Sequence, residues 1–236
     1  MSTSNTAAQV SHIAPQLRNR VVAHVADLRL LRVIENRGIL PSVRMFNSYR
    51  TATRHLVQSL LTPHFDTTAN RDTLVLAGFG RFGKTVLHEV QASVLTMFER
   101  IIIVDLKAEI LVHMFAEQVG FADDYQYMYL AEDIHEPRRW QHVIDKVDRP
   151  QEGFMYVVGS GFDSVNVSTA LWLADRAPEA IIVARCDWRS SFTADISREC
   201  DFHVVSTADL LMEQFHHNGY MVEPQLDNDK PAVAAS

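Results

Sequence analysis

Cysteine is scarce: Cys186 and Cys200 are the only two in 236 residues, too few for a disulfide framework, so a reducing, cytoplasmic setting is expected. The N-terminus lacks a charged start followed by an apolar core and a small-residue cleavage site, so no secretory leader is read there. No uninterrupted apolar run approaches the roughly 18 residues that a membrane helix needs. The chain is therefore not expected to cross a bilayer itself. Basic excess is missing too. Lys and Arg number 22 against 29 Asp and Glu, a net charge of -7, which argues against nucleic acid or anionic membrane as a general partner but allows a local basic pocket. Histidine is plentiful at 11. The adjacent pair His216 and His217, however, points to different sides of a helix, and no metal site is expected.

Apolar residues are present in ordinary measure, 47% of the chain, enough for one good-sized domain with an accessory segment. Residues 1–14 are Ser, Thr, Ala and Asn rich and read as a disordered start. Residues 15–66 read as a helical segment: an amphipathic helix over 15–35, breakers at Gly38 and Pro41, a short strand over 43–46, and a second helix over 49–61 ahead of Pro63. Arg29, Arg32, Arg37, Arg44, Arg50 and Arg54 would solvate the outer faces of these helices or meet a partner. From residue 72 to 219 short apolar strands alternate with amphipathic stretches, the pattern of βαβ units in a parallel sheet. Six strands are expected, over 73–77, 101–104, 127–130, 154–158, 181–184 and 202–205. Helices are expected over 82–98, 108–119, 137–147, 165–176, 192–199 and 208–217. The fold class is thus α/β, a Rossmann-type doubly wound sheet with an N-terminal helical extension, and residues 220–236 read as a loose tail.

The first of these strands runs into Gly78-Phe79-Gly80-Arg81-Phe82-Gly83, a G-x-G-x-x-G sequence between strand and helix. Gly78 permits the tight turn, Gly80 the approach of backbone to a pyrophosphate, and Gly83 the packing of helix on strand. The helix N-terminus adds free amides and a positive dipole. The second strand ends in Asp105, about 20 residues further on, where a ribose-binding carboxylate belongs. That acid favours a free 2′-hydroxyl, a preference that the nearby cations Lys107 and Arg81 weaken. Gly78, Gly83, Lys84 and Thr85 also satisfy G-x-x-x-x-G-K-[ST], the P-loop pattern, with Lys84 for phosphates and Thr85 for a metal. The Rossmann reading is preferred because it uses Gly80 and the spacing to Asp105, and because a P-loop would put bulky Phe79 and Phe82 in an open phosphate loop.

Together with the glycine run and Ile101 to Asp105, the stretches Asp163-Ser164-Val165-Asn166, 174–178 and 181–185 resemble the regulator-of-potassium-conductance (RCK) domain, also called the TrkA N-terminal domain. The resemblance spans about residues 73–214. It implies a cytosolic, dimerising nucleotide-binding module that gates a potassium channel or transporter without catalysis, located in the cytoplasm or peripherally at the inner face of the membrane. By position it puts phosphates on Phe79 to Gly83, a ribose at Asp105 with Leu106 and Lys107 beside it, adenine near Glu132 and Asp133, and the other half of the ligand near Gly159, Ser160 and Arg185. NAD(H) is the implied ligand, with ATP, ADP or another adenine nucleotide as alternatives. Members carry Gly-Asp where this chain has Glu132-Asp133, a pair that reads equally as a solvated turn. Asp163 and Asn166 read first as helix caps. Cys186 reads as a buried thiol, and the apolar residues Leu171, Trp172 and Leu173 as core or dimer surface. The rival functions are an NAD-dependent oxidoreductase, which needs a substrate domain and a proton donor, and a P-loop nucleotide hydrolase.

Overall fold

The computed structural model of the chain describes residues 22–39, 43–65, 71–147 and 153–217. The expected disordered start, the first turns of the expected 15–35 helix and the expected loose tail lie outside the described residues. Six short runs rich in Val, Ile and Tyr become strands; the four central ones are buried on both faces, while the edge strands keep exposed residues such as Tyr127 and Tyr129. They are β3 (Asp72–Ala77), β4 (Phe98–Val104), β5 (Gln126–Leu130), β6 (Phe154–Val158), β7 (Ile181–Cys186) and β8 (His203–Ser206). All pair parallel in the order β5-β4-β3-β6-β7-β8. Strand order therefore reverses between β3 and β6, whose neighbours fan out to opposite edges. Such a reversal opens a crevice at the C-terminal ends of the strands, and that is where ligands of open α/β sheets sit.

The crossovers are α4 (Arg81–Ser93), α5 (Ala108–Gln118), α6 (Pro137–Val147), α7 (Asp163–Arg176) and α8 (Ser191–Glu199). Several boundaries differ from the sequence reading. The helix expected over 82–98 ends at Ser93, and a single 3-10 turn, Leu95–Met97, leads into β4 three residues early. β7 runs on through Arg185 and Cys186, because Arg185 pairs with Val205 and Cys186 with Ser206 of β8.

The N-terminal segment departs most. Residues 22–26, expected as helix, begin with β1 (Val22–His24), which pairs parallel with β2 (Arg44–Phe46). The helix, α1 (Leu28–Arg37), starts only after Asp27, whose Oδ1 accepts the amides of Arg29 and Leu30 at 2.8 and 3.2 Å. That side chain satisfies two amides which a continuous helix would have bonded to carbonyls, and so fixes the start. The second helix, α2 (Ser48–Leu56), is capped by Asn47 and continues through a π-helical turn, Val57–Leu61, into α3 (Thr62–Phe65). Pro63 does not stop it. Ahead of the proline the ladder loosens, with the Thr62 amide reaching back to the Val57 carbonyl, and this accommodates the missing donor.

α2 completes the fold. On one face of the sheet α6 and α7 cover it with Trp140, Val143, Ala170 and Leu173. On the other, α4 and α5 cover only the β3-β4-β5 half. Leu56 and Val57, with α9 (Thr207–His217) beside them, close that core over Met155, Val183 and Val205 of the second half. Leu56, Val57, Leu61 and Phe65 are all buried, and each such side chain contributes roughly 1.5–3 kcal/mol. The exposed pairs Arg50–Glu35 at 3.6 Å and Arg54–Glu89 at 3.5 Å contribute about 0–1 kcal/mol each. Apolar burial, not charge, holds the segment to the sheet. Trp172, half-buried against the α7 side of the core, carries the Arg176 guanidinium 4.3 Å above its ring.

Candidate functional site

Two glycine loops meet where the strand order reverses. The Gly78 amide donates to the Val104 carbonyl and the Gly159 amide to the Ala77 carbonyl, each at 2.8 Å. Gly78 has φ +90°. A Cβ added there would lie 2.9 Å from the carbonyl atoms of Gly159, one on Gly83 would lie 2.2 Å from the Gly78 oxygen, and one on Gly159 2.3 Å from the Phe82 ring. These three glycines are consequences of packing β3, β6 and α4 together. Gly80 differs, since nothing lies within 4 Å of a Cβ added to it. It stands extended at the N-cap of α4 and, being glycine, offers no side chain to the first-turn amides. Those donors and the positive helix end make a site for an anionic group.

Asp105 ties this loop to β4. Its Oδ2 accepts the Phe79 amide and its Oδ1 the Lys107 amide, both at 2.8 Å. Each oxygen keeps a lone pair for a further donor. The resulting cleft, about 310 Å³, is lined by Gly78, Gly80, Asp105, Leu106, Asp133, Gly159 and Ser160 among the residues singled out from sequence. Ile134, His135, Gly161 and Phe162 complete it. Leu106 and Phe162 form its lips and stay 65% and 64% exposed. Asp133 Oδ1 accepts both the backbone amide of His135 at 3.0 Å and its ring Nδ1–H at 2.7 Å, and these bonds hold the Asp133 carboxyl below the usual carboxylate range. The His135 ring in turn meets Phe162 edge-on.

Other singled-out residues lie elsewhere. Phe79 and Phe82 bury their rings in the core over α4, and the Phe79 amide is already committed to Asp105. Arg81 and Lys84 line a different groove, and Lys107 lines neither it nor the cleft. Thr85 is buried, its hydroxyl donating to the Arg81 carbonyl at 2.7 Å. The Lys-Thr pair that a P-loop would aim at phosphates and metal therefore faces away from the cleft. Glu132 turns to Arg139 and His142, each at 3.7 Å.

Arg185, 4% exposed, is buried near the C-terminal end of β7 and does not itself line the cleft. It donates to the Ser160 carbonyl at 3.0 Å and pairs with Asp187. Asn166 shares this bracing. Its Oδ1 accepts the Ser160 amide at 2.8 Å, while its Nδ2 donates to the carbonyls of Ser160 at 3.2 Å and Arg185 at 2.8 Å. Asp163 accepts the Asp187 amide at 2.8 Å. Read first as helix caps, Asp163 and Asn166 tie the second glycine loop to β7 instead. Tyr49 of α2 touches both sides: its ring lies 5.6 Å from the Arg185 guanidinium and edge-on to Phe82 at 6.3 Å.

Among the described residues no three or more His, Cys, Asp and Glu side chains converge as metal ligands. Cys186 is buried, and that burial, with Asp163 adding to it, pushes its thiol up to about 11. Cys200 is exposed. A thiol reagent at pH 8 is expected to label Cys200 of the folded protein quickly and Cys186 only after denaturation. Peptide mass spectrometry decides it, and fast native labelling of Cys186 would overturn the burial argument.

Comparison with known proteins gives the same architecture. No protein-family model matches the chain, and no curated protein does. Solved structures do. GsuK bound to ADP and a point mutant of GsuK each superpose with TM-score 0.59 at 15% identity, covering 93% of this chain and 50% of theirs. The GsuK channel superposes with TM-score 0.57 at 17% identity, covering 92% and 50%. At such identity the likeness is one of fold, and this chain spans about half the length of the GsuK chain. The doubly wound α/β fold expected from sequence, and from the resemblance to RCK domains, is the fold found. Among the described residues no helix is long and apolar enough to cross a membrane.

Proposed function

We propose that this chain is the nucleotide-binding sensor domain of a potassium channel or transporter, taking an adenine nucleotide in the cleft between the two glycine loops. The observation that carries the reading is Gly80: the one glycine of the run that no packing demands, open to the cleft at the start of α4. The first amides of α4 would hold phosphate oxygens. Asp105, with its spare lone pairs, would take ribose hydroxyls. Leu106 and Ile134 offer apolar walls for a purine. Ser160 and its neighbours would meet the rest of the ligand, with Arg185 acting through Ser160. NAD(H) and ADP both suit this arrangement, and the fold's occurrence in GsuK bound to ADP supports an adenine nucleotide. In this reading the domain works in the cytoplasm as a homodimer or larger ring, passes the bound state to a membrane partner, and carries out no reaction of its own.

The test is to identify the nucleotide that copurifies and to run thermal shifts with ADP, ATP, NAD and NADH. A ligand at a hundred times its Kd stabilises by about 2.7 kcal/mol. Absence of any shift, together with a monomeric elution volume, would sink the reading. Lys84→Ala is expected to change nucleotide affinity less than about threefold, since a cation outside the cleft acts only through screened charge. Magnesium-dependent hydrolysis that this substitution abolished would establish the P-loop alternative, and hydride exchange from bound NADH would establish an oxidoreductase.

A further inference from the structure

A second concave surface lies on the far side of α4, between the start of α1 and the C-terminal half of α5. Helical spacing builds both of its banks. Arg29 and Arg32 stand three apart on α1, and Arg81, Lys84 and His88 stand at i, i+3 and i+7 on α4, so each set shares one helix face. Met114 of α5 and Val119, just after its end, give it an apolar wall. The groove measures about 460 Å³ and shares no lining residue with the nucleotide cleft.

Its charge is one-sided in a protein of net charge -7. Arg50 and Arg54, from the same arginine-rich segment, each face an acid, Glu35 and Glu89. Arg29, Arg32, Arg81 and Lys84 have no ion pair among the described residues. Arg32 instead meets the His88 ring through Nε2. Against these four cations the groove is lined by one carboxylate, Asp27, whose Oδ1 accepts the amides that start α1. Burial and the Arg32 charge both disfavour protonated His88, and burial disfavours charged Lys84 against a smaller opposing pull from Asp105. Like charges gathered on one concave face repel each other unless an anion joins them.

We infer that this groove binds a phosphate-bearing organic anion, its phosphate among Arg29, Arg32, Arg81 and Lys84 and its apolar part on Met114 and Val119. A soluble organic phosphate and a phospholipid headgroup share that chemistry. The inference stands on the groove alone and does not need the nucleotide cleft to be occupied.

The experiment titrates inorganic tripolyphosphate into the full chain by calorimetry, and sediments the chain with vesicles of phosphatidylglycerol or of phosphatidylcholine. Three proteins are compared: wild type, the double variant Arg29→Gln/Arg32→Gln, and Gly80→Ala, which alters only the cleft. The groove is expected to take one tripolyphosphate in wild type and equally in Gly80→Ala, where the cleft's own anion site is weakened, and to take it at least about tenfold more weakly in the double variant. Cosedimentation with phosphatidylglycerol but not phosphatidylcholine, lost in the double variant, would assign the lipid source; tripolyphosphate binding without it assigns the soluble one. Arg29 and Arg32 are exposed, so their replacement should leave the far-ultraviolet circular dichroism unchanged; if it does not, Lys84→Met replaces the double variant. Binding equal in wild type and groove variant, binding lost in Gly80→Ala, or binding of neither probe overturns the inference.

Discussion

Gly83→Ala is expected to lower the thermal midpoint by roughly 6–12 °C, the equivalent of about 3 kcal/mol in a domain of this size. The new methyl carbon would stand 2.2 Å from the Gly78 carbonyl oxygen. Backbone cannot rotate aside as a side chain can, so α4 must slide off β3. The helix propensity gained by alanine, about 1 kcal/mol, is too small to offset this. Because the carbonyl belongs to the cradle itself, nucleotide affinity should fall with stability. Gly80→Ala makes the contrast. Its methyl meets nothing within 4 Å, so the ligand-free midpoint should move by less than about 1 °C, while affinity drops at least about tenfold because backbone can no longer approach phosphate. Thermal melts with and without ADP separate the two outcomes. Equal loss of stability in both variants would show that Gly80 is packed after all.

The second large effect is expected at Asn166, which is 0% exposed and makes three hydrogen bonds to the backbone of Ser160 and Arg185. Asn166→Asp keeps the shape and loses both donated bonds, setting a carboxylate against two carbonyl oxygens in a dry site. The cost should be about 3–5 kcal/mol at neutral pH. The sign with pH follows from burial, which raises the folded-state pKa of the introduced carboxyl above its unfolded value. The deficit is then largest above the folded pKa and shrinks as pH falls towards the unfolded value near about 4. Asn166→Ala loses the same partners without adding charge, and its deficit should not shrink in that way. Chemical denaturation of both variants at pH 7.5 and 5 tests this, and a pH-independent deficit in Asn166→Asp would refute the electrostatic part.

The sheet was legible in sequence because its four central strands, buried on both faces, must be apolar nearly throughout, and none of the six runs had a helical length or period. Gly78, Gly83 and Asp105 were legible for a similar reason: a tight strand-to-helix turn restricts its residues so severely that spacing alone reveals it. Partners across the chain were not. Nothing near Asp105 announces that its carboxylate holds the Phe79 amide, and nothing near Asn166 announces Arg185, 19 positions away. The β1 strand was hidden because the run of residues 21–26 fits a helical period as well as an alternating one. Its burial alternates, with Ala23 and Val25 inward and His24 between them less so. Asp27 was the available signal, being a capping residue directly before Leu28. Likewise Gly159-Ser160-Gly161 after β6 is a second glycine turn, and weighing it would have brought Gly161 and Phe162 into the site.

Tyr49 gives α2 a mechanical significance beyond filling a core. Its ring bears on Phe82, beneath the first glycine loop, and on Arg185, which props the second. The two jaws of the cleft thus rest on a single fulcrum, and that fulcrum belongs to the segment continuous with β1 and β2 rather than to any crossover. A displacement of Tyr49 would therefore disturb the supports of both glycine loops together.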